Sequence, residues 1–118
     1  MIKYLWVYVA GPLRGNWIKK KINIYKAKKI SKLLWDNKLA AFCPHLNSGF
    51  YDNINTDEFV LKANIDLLRR MDAILVLDGW TESEGTKNEV LYAKSIGMTV
   101  FYENDINELI QYFWMSIC

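Results

Sequence analysis

Four short apolar runs alternate with four stretches of helical periodicity, and this alternation constrains the fold more than any other feature. Tyr4-Leu5-Trp6-Val7-Tyr8-Val9-Ala10 is continuous, β-branched and aromatic, and it ends at Gly11-Pro12. That reads as a central strand closed by a tight loop. From about Asn16 to Asn37, Ile22, Tyr25, Ile30, Leu33 and Leu34 recur at helical spacing with lysines opposite. Leu39 to Cys43 is a second strand stopped by Pro44, and the polar segment Pro44 to Thr56 is a long loop of the kind that often acts as a lid. Thr56-Asp57-Glu58 opens a helix whose apolar side is Phe59, Val60, Ala63, Leu67, Leu68 and Met71. Ala73 to Leu77 is the third strand. Ser83 or Thr86 can cap the next helix, which runs to Ile96 and is terminated by Gly97. Met98 to Tyr102 is the fourth strand. Asp105 starts a last helix with Ile106, Leu109, Ile110 and Phe113 inward.

The order βαβαβαβα with short connections predicts an α/β fold: a three-layer, Rossmann- or flavodoxin-like parallel sheet of four to five strands in the order 2-1-3-4. The topological switch then falls between the first and third strands, where ligands bind beyond the carboxyl ends. Gly11 to Gly15, the loop after the second strand, and Gly79 to Glu89 line that crevice. No repeat, linker or low-complexity segment interrupts the chain, so residues 1–118 read as a single domain.

The totals exclude several classes. With 52% hydrophobic residues the chain can bury a core, and a formal charge of +2 is too small to drive nucleic-acid binding. The surplus comes from Lys19-Lys20-Lys21, Lys26, Lys28, Lys29 and Lys32, which read as a solvated helix face rather than a polyanion site. Cys43 and Cys118 offer neither metal spacing nor a disulfide framework, so no metal or other cofactor is expected and a reducing, cytoplasmic setting is. The opening apolar run is too short to span a bilayer and lacks a signal's layout, so no membrane partner is expected.

The residues able to carry chemistry collect in the loops. In Gly11-Pro12-Leu13-Arg14-Gly15 two glycines permit close backbone approach, and Arg14 offers a fork of donors suited to phosphate or carboxylate; a plain turn with a surface arginine fits equally well. Glu89 lies six residues after Ser83 and four after Gly85, placed by the sequence in the first turn of its helix. A first-turn glutamate is commonly just dipole-favoured. Tyr8, on the neighbouring strand, can aim its hydroxyl at the same crevice. A partly desolvated carboxylate held by a tyrosine can serve as a covalent nucleophile at a sugar carbon. His45, the only histidine, is either a surface residue or a base contact. Trp80 and Tyr51 can stack on a base or pack the loop. Asp78 can hold the Gly79 loop closed or meet sugar hydroxyls. Phe113 and Trp114 are core or a self-association patch that favours a homodimer or higher homo-oligomer.

Val7-Tyr8-Val9-Ala10-Gly11-Pro12-Leu13-Arg14-Gly15, Asp72-Ala73-Ile74-Leu75-Val76-Leu77-Asp78-Gly79-Trp80, and Ser83-x-Gly85-x-x-x-Glu89 with Ala93 and Gly97 together resemble the nucleoside 2-deoxyribosyltransferase superfamily. The chain looks closest to its small, phage- or plasmid-borne branch, and it is similar to the 2′-deoxynucleoside 5′-phosphate N-hydrolases. The resemblance spans about residues 4 to 102. It implies that Glu89 attacks the anomeric carbon and that Tyr8 orients it. Ser83 stands where the nucleoside transferases carry an aspartate for the free 5′-hydroxyl; the hydrolases have a serine there that helps bind a 5′-phosphate. A serine hydroxyl can donate to phosphate, whereas an aspartate would repel it. Arg14 resembles the second phosphate contact. The chain departs from the family at Asn64, where an aspartate that meets the departing base is usual; the nearest carboxylate is Asp66.

The resemblance therefore implies cleavage of the N-glycosidic bond of a (2′-deoxy)nucleoside 5′-monophosphate through a glycosyl-glutamate intermediate, with hydrolysis favoured over base transfer. Asn64 in place of an acid also suits a different reading, a non-catalytic module that binds, senses or sequesters a nucleotide with the same crevice.

Overall fold

A computed structural model describes residues 4–12, 17–44 and 57–117. Four strands, β1 (Trp6–Ala10), β2 (Ala40–Phe42), β3 (Ala73–Val76) and β4 (Thr99–Tyr102), pair in parallel in the order β2-β1-β3-β4. Among the described residues four longer helices accompany them: α1 (Trp17–Asp36), α2 (Asp57–Leu68), α3 (Glu84–Ser95) and α4 (Ile106–Ile117). Short 3-10 turns at Trp80–Glu82 and Glu103–Asp105 lead into α3 and α4. The doubly wound order expected from the sequence is the order found, with four strands among the described residues.

Strand residues alternate between two cores, as a pleat with a period of two requires. Val7, Val9, Ala73, Leu75 and Leu77 face one layer, where they meet Ala27 and Leu34 of α1 and Leu109 and Phe113 of α4. Tyr8, Ala10, Ile74 and Val76 face the other, where they meet Leu68 of α2 and Val90 and Ala93 of α3. Both faces of the two inner strands are thus covered, which is why their sequences are continuous apolar runs. Among the described residues no helix is long and apolar enough to cross a membrane.

Two helix faces differ from the sequence reading. In α1 the buried residues are Ala27, Ser31 and Leu34, while Ile22, Tyr25 and Leu33 are exposed. The small Ala27 and Ser31 let the helix approach the sheet and leave the bulkier residues on its flank. A helix of 20 residues, about 30 Å long, also overruns a strand of 5 residues, about 17 Å long. Its amino-terminal turns therefore have little sheet to cover. In α2, Leu68 is fully buried and Ile65 and Met71 pack beside it, while Phe59 and Ala63 are exposed. The last helix buries Leu109 and Phe113, with Ile106 and Ile110 against the same core, as its spacing predicts.

Two glycines shape the chain's connections in different ways. A Cβ on Gly11 would lie 2.9 Å from Leu77, so only a glycine lets these chain segments approach after β1 and β3. Gly97 ends α3 at φ +74°, the left-handed conformation that stops a helix.

Candidate active site

The β1–α1–β2 unit and the β3–α3–β4 unit leave the sheet centre in opposite directions, so the carboxyl ends of β1 and β3 diverge. Tyr8 and Glu89 meet beneath that divergence. Tyr8 sits on β1 and is fully buried, and Glu89 on α3 is 6% exposed. The phenol hydroxyl donates to the Glu89 carboxylate. Glu89 occupies the second turn of α3, because the helix begins at Glu84; the first-turn acid is Glu84. The placement expected from the sequence was one turn early. The helix dipole, which fades within a turn, therefore gives Glu89 little help, and Tyr8 supplies its polar partner instead.

Burial dominates the electrostatics. It raises the Glu89 carboxyl from 4.5 to about 7, against the hydrogen bond from Tyr8, which lowers it. Burial first, then the charge and hydrogen bond of Glu89, with a smaller effect of Cys43, push the Tyr8 phenol well above its ordinary value. Tyr8 therefore stays protonated and acts as the donor. A carboxyl poised near neutrality, with its orientation fixed by a phenol, suits general acid–base or nucleophilic work.

A cavity of about 260 Å³ opens onto Glu89 between α2 and α3, lined also by Leu61, Lys62, Ile65, Gly85 and Asn88. Gly85 lets the helices come close there, since a Cβ on it would lie 3.0 Å from Leu61. A larger groove of about 420 Å³ runs along α1, lined by Lys26, Lys29, Ile30 and Leu33 among others. It contains none of the expected site residues, and its size does not outweigh the chemistry at Glu89.

Ser83 is the N-cap of α3: its Oγ accepts the Thr86 N–H at 3.2 Å and lies 2.9 Å from Thr86 Oγ1. Gly79 precedes it at φ +87° and starts the turn Trp80–Glu82. Trp80 is half-buried, with its ring centroid 5.9 Å from that of Tyr102, so it packs the loop against β4. The Asp78 side chain is exposed, and its backbone N–H donates to Glu103 Oε1 at 2.9 Å, which ties the loop to the end of β4.

Asn64 and Asp66 do not join Glu89. Asn64 is half-buried on α2 and is not among the cavity-lining residues. Asp66 is exposed and pairs with Arg69 at 2.7 Å and Arg70 at 3.3 Å. The hydrogen bond from Arg69 holds its carboxyl below the usual range. Arg14, Gly15, His45 and Tyr51 lie outside the described residues.

Three roles escaped the sequence reading. Thr86, expected as an alternative cap, is instead buried beneath the Ser83 cap; its spacing three after that serine is the signal that could have found this role. Glu103 holds Asp78, a contact 25 residues apart that no local pattern announces. Asp72 carries a structural task, its Oδ2 accepting the Trp6 N–H at 2.8 Å.

The model of the family described as "Domain of unknown function (DUF4406)" matches residues 5–102. A search of the curated proteins gives no match. Among solved structures, the 2-deoxyribosyltransferase of the psychrotolerant bacterium Bacillus psychrosaccharolyticus, a biocatalyst for nucleoside synthesis, is similar at TM-score 0.61 and 20% identity, with 82% of this chain and 70% of that one covered. The 2-deoxyribosyltransferase of Leishmania mexicana is similar at TM-score 0.60 and 22% identity, over 83% of this chain and 63% of that one. The chain thus spans less than two thirds of the Leishmania enzyme. The likeness is one of fold: a parallel α/β sheet in the order 2-1-3-4, shared with 2-deoxyribosyltransferases.

Proposed function

The chain belongs to the family of the domain of unknown function DUF4406, and from its site we propose that it cleaves the N-glycosidic bond of a (2′-deoxy)nucleoside 5′-monophosphate. The observation that carries this reading is the buried Glu89 carboxylate gripped by the Tyr8 hydroxyl under the carboxyl ends of β1 and β3. The fold shared with two 2-deoxyribosyltransferases supports it, since those enzymes bear that name for chemistry at the same kind of bond.

In this reading a Glu89 carboxylate oxygen attacks C1′. The C1′–N bond breaks, its electron pair leaves with the base, and the base takes a proton from solvent. The glycosyl ester then reacts with water at C1′, which releases the sugar phosphate and a proton and restores the carboxylate. Tyr8 keeps the second carboxylate oxygen in place through both steps. Negative charge held beside C1′ stabilises the oxocarbenium-like transition state. Asn64, where the resembled family carries an acid, cannot protonate a departing base, so easily departing bases should react fastest. Ser83 and Arg14 receive the 5′-phosphate, which disfavours free nucleosides as substrates, and water is the acceptor. The exposed Trp114 and Met115 on α4 support self-association into a homodimer.

Base release from a panel of nucleotides and nucleosides tests the reading, with Glu89→Gln as control. Release that needs the 5′-phosphate and disappears in Glu89→Gln is the expected result. Undiminished turnover by Glu89→Gln would show that another group is the nucleophile. Tight nucleotide binding with intact ligand recovered would leave the non-catalytic binding module as the better account.

A further inference from the structure

Among the described residues only Ser31, Thr86 and Glu89 are polar and buried, and two of them share a face of α3 one turn apart. Thr86 is 2% exposed, yet its hydroxyl is satisfied, with Ser83 Oγ 2.9 Å away. The Thr86 backbone N–H meets the same Ser83 oxygen at 3.2 Å. A backbone N–H can only donate. Of the two hydroxyls, the one at Thr86 is sealed from water and the one at Ser83 is half-exposed. An unmade buried donor costs more than a solvated one, so the shared proton belongs to Thr86. Ser83 Oγ then accepts two hydrogen bonds, and both of its lone pairs are committed towards the helix start. Its own O–H is left to point away from α3, out of the strand-to-helix loop.

We propose that Thr86 is a positioning residue that fixes the Ser83 hydroxyl as an outward donor and so sets a preference for a phosphate over a hydroxyl at the 5′ end of the ligand. The inference rests on Ser83 being the 5′ contact, as proposed above. A hydroxyl able only to donate matches a group rich in acceptors, and a donor to a charged oxygen gains more than a donor to a neutral one. A Ser83 hydroxyl free to rotate would both give and take, and would serve a 5′-hydroxyl nearly as well.

The test is calorimetric binding of a deoxynucleoside 5′-monophosphate and of the matching nucleoside to the Glu89→Gln protein, which removes turnover from the readout. Adding Thr86→Val, of nearly the same volume, should weaken nucleotide binding about tenfold, the size of one hydrogen bond to a charged group. Nucleoside binding should stay within about twofold. Thr86→Ser should restore nucleotide binding, and in a Ser83→Ala background Thr86→Val should cost nothing further. Equal losses for both ligands, or a preference unchanged by Thr86→Val, overturn the inference while leaving the proposed function standing. If the protein with Thr86 intact binds nucleotide no better than nucleoside, the 5′-phosphate reading fails and the inference with it.

Discussion

The Tyr8 hydroxyl reaches Glu89 across 81 residues of sequence, and the two groups act on each other's protons in opposite senses: the phenol favours ionisation of the carboxyl, and the carboxylate opposes ionisation of the phenol. Burial drives the carboxyl up to about 7, and the phenol pulls against it. The carboxylate in turn helps hold the proton on the phenol. Neither side chain would keep this state alone: an unpaired buried carboxylate would protonate further, and an unpaired buried phenol would leave its donor unmet.

A pH profile of glycosidic cleavage follows directly. Only the ionised carboxyl attacks, so kcat/KM should rise with pH along a limb centred near 7, the position that burial gives Glu89. Tyr8→Phe removes the one interaction that lowers this carboxyl. The limb should move to higher pH, and the rate at neutral pH should fall about tenfold or more, as expected for a lost hydrogen bond to a charged group. Steady-state rates between pH 5 and 9, for both proteins, check this; a limb that stays in place would separate the phenol from the acid.

The same shift has a thermodynamic consequence of opposite value to the protein. The Glu89 carboxyl titrates at 4.5 in the unfolded chain and at about 7 when folded. Between those values the folded state holds a proton that the unfolded state has released, so stability declines as pH rises through the window and is level above it. The full difference corresponds to about 3 kcal/mol. Glu89→Gln carries no such penalty. Urea unfolding should find the variant more stable than the parent by about 2–3 kcal/mol at pH 8, with the advantage gone at pH 4.5. An advantage independent of pH would mean that Glu89 titrates alike in both states.

The sheet was legible because its strands are apolar on both faces, and the doubly wound order followed from connection length alone. Ser83 and Gly97 were legible as helix ends because capping and left-handed turns restrict residue choice locally. The buried face of α1 was not, since spacing selects the large residues Ile22, Tyr25 and Leu33, whereas close packing on the sheet selected Ala27 and Ser31. Hydropathy cannot see that a small residue faces inward to admit a backbone. Asp66 shows a missed signal: Arg69 and Arg70 stand three and four residues on, the spacing at which helix side chains pair. That pairing commits its carboxylate to the surface. The turn holding Glu89 was misplaced because Ser83, not Thr86, caps α3, so the helix already begins at Glu84 and Glu89 falls one turn further in.

Ser31 is a polar atom in the wrong place. Its Oγ is buried under α1 with no hydrogen-bond partner. Ser31→Ala removes the unmet hydroxyl and adds a better helix former, and should stabilise the fold by about 1–2 kcal/mol. Activity should not change, since Ser31 lies on the sheet face opposite Tyr8. Thermal unfolding of the two proteins decides; a variant less stable than its parent would mean that the hydroxyl has a partner after all.

Asp72 and Trp6 exchange two hydrogen bonds, the Trp6 N–H to Asp72 Oδ2 at 2.8 Å and the Asp72 N–H to the Trp6 carbonyl at 2.9 Å. They close the amino end of the β1–β3 ladder, one residue before Val7 pairs with Ala73. The motif run that begins at Asp72 therefore spans β3 from end to end, and its two ends do different things. Asp78 and Gly79 lie at the crevice, whereas Asp72 is on the far edge, about 20 Å away at strand rise. Asp72→Ala should remove an acceptor from a partly exposed amide, which water can replace in part, and so cost about 1 kcal/mol. For a chain of this size that is about 4–6 °C in Tm. Asp72→Asn keeps an acceptor and should recover most of the loss. Both variants should retain the parent's kcat within about twofold, because Glu89 and Ser83 lie towards the other end of the strands. A large fall in kcat at an unchanged Tm would move Asp72 from the architecture into the chemistry.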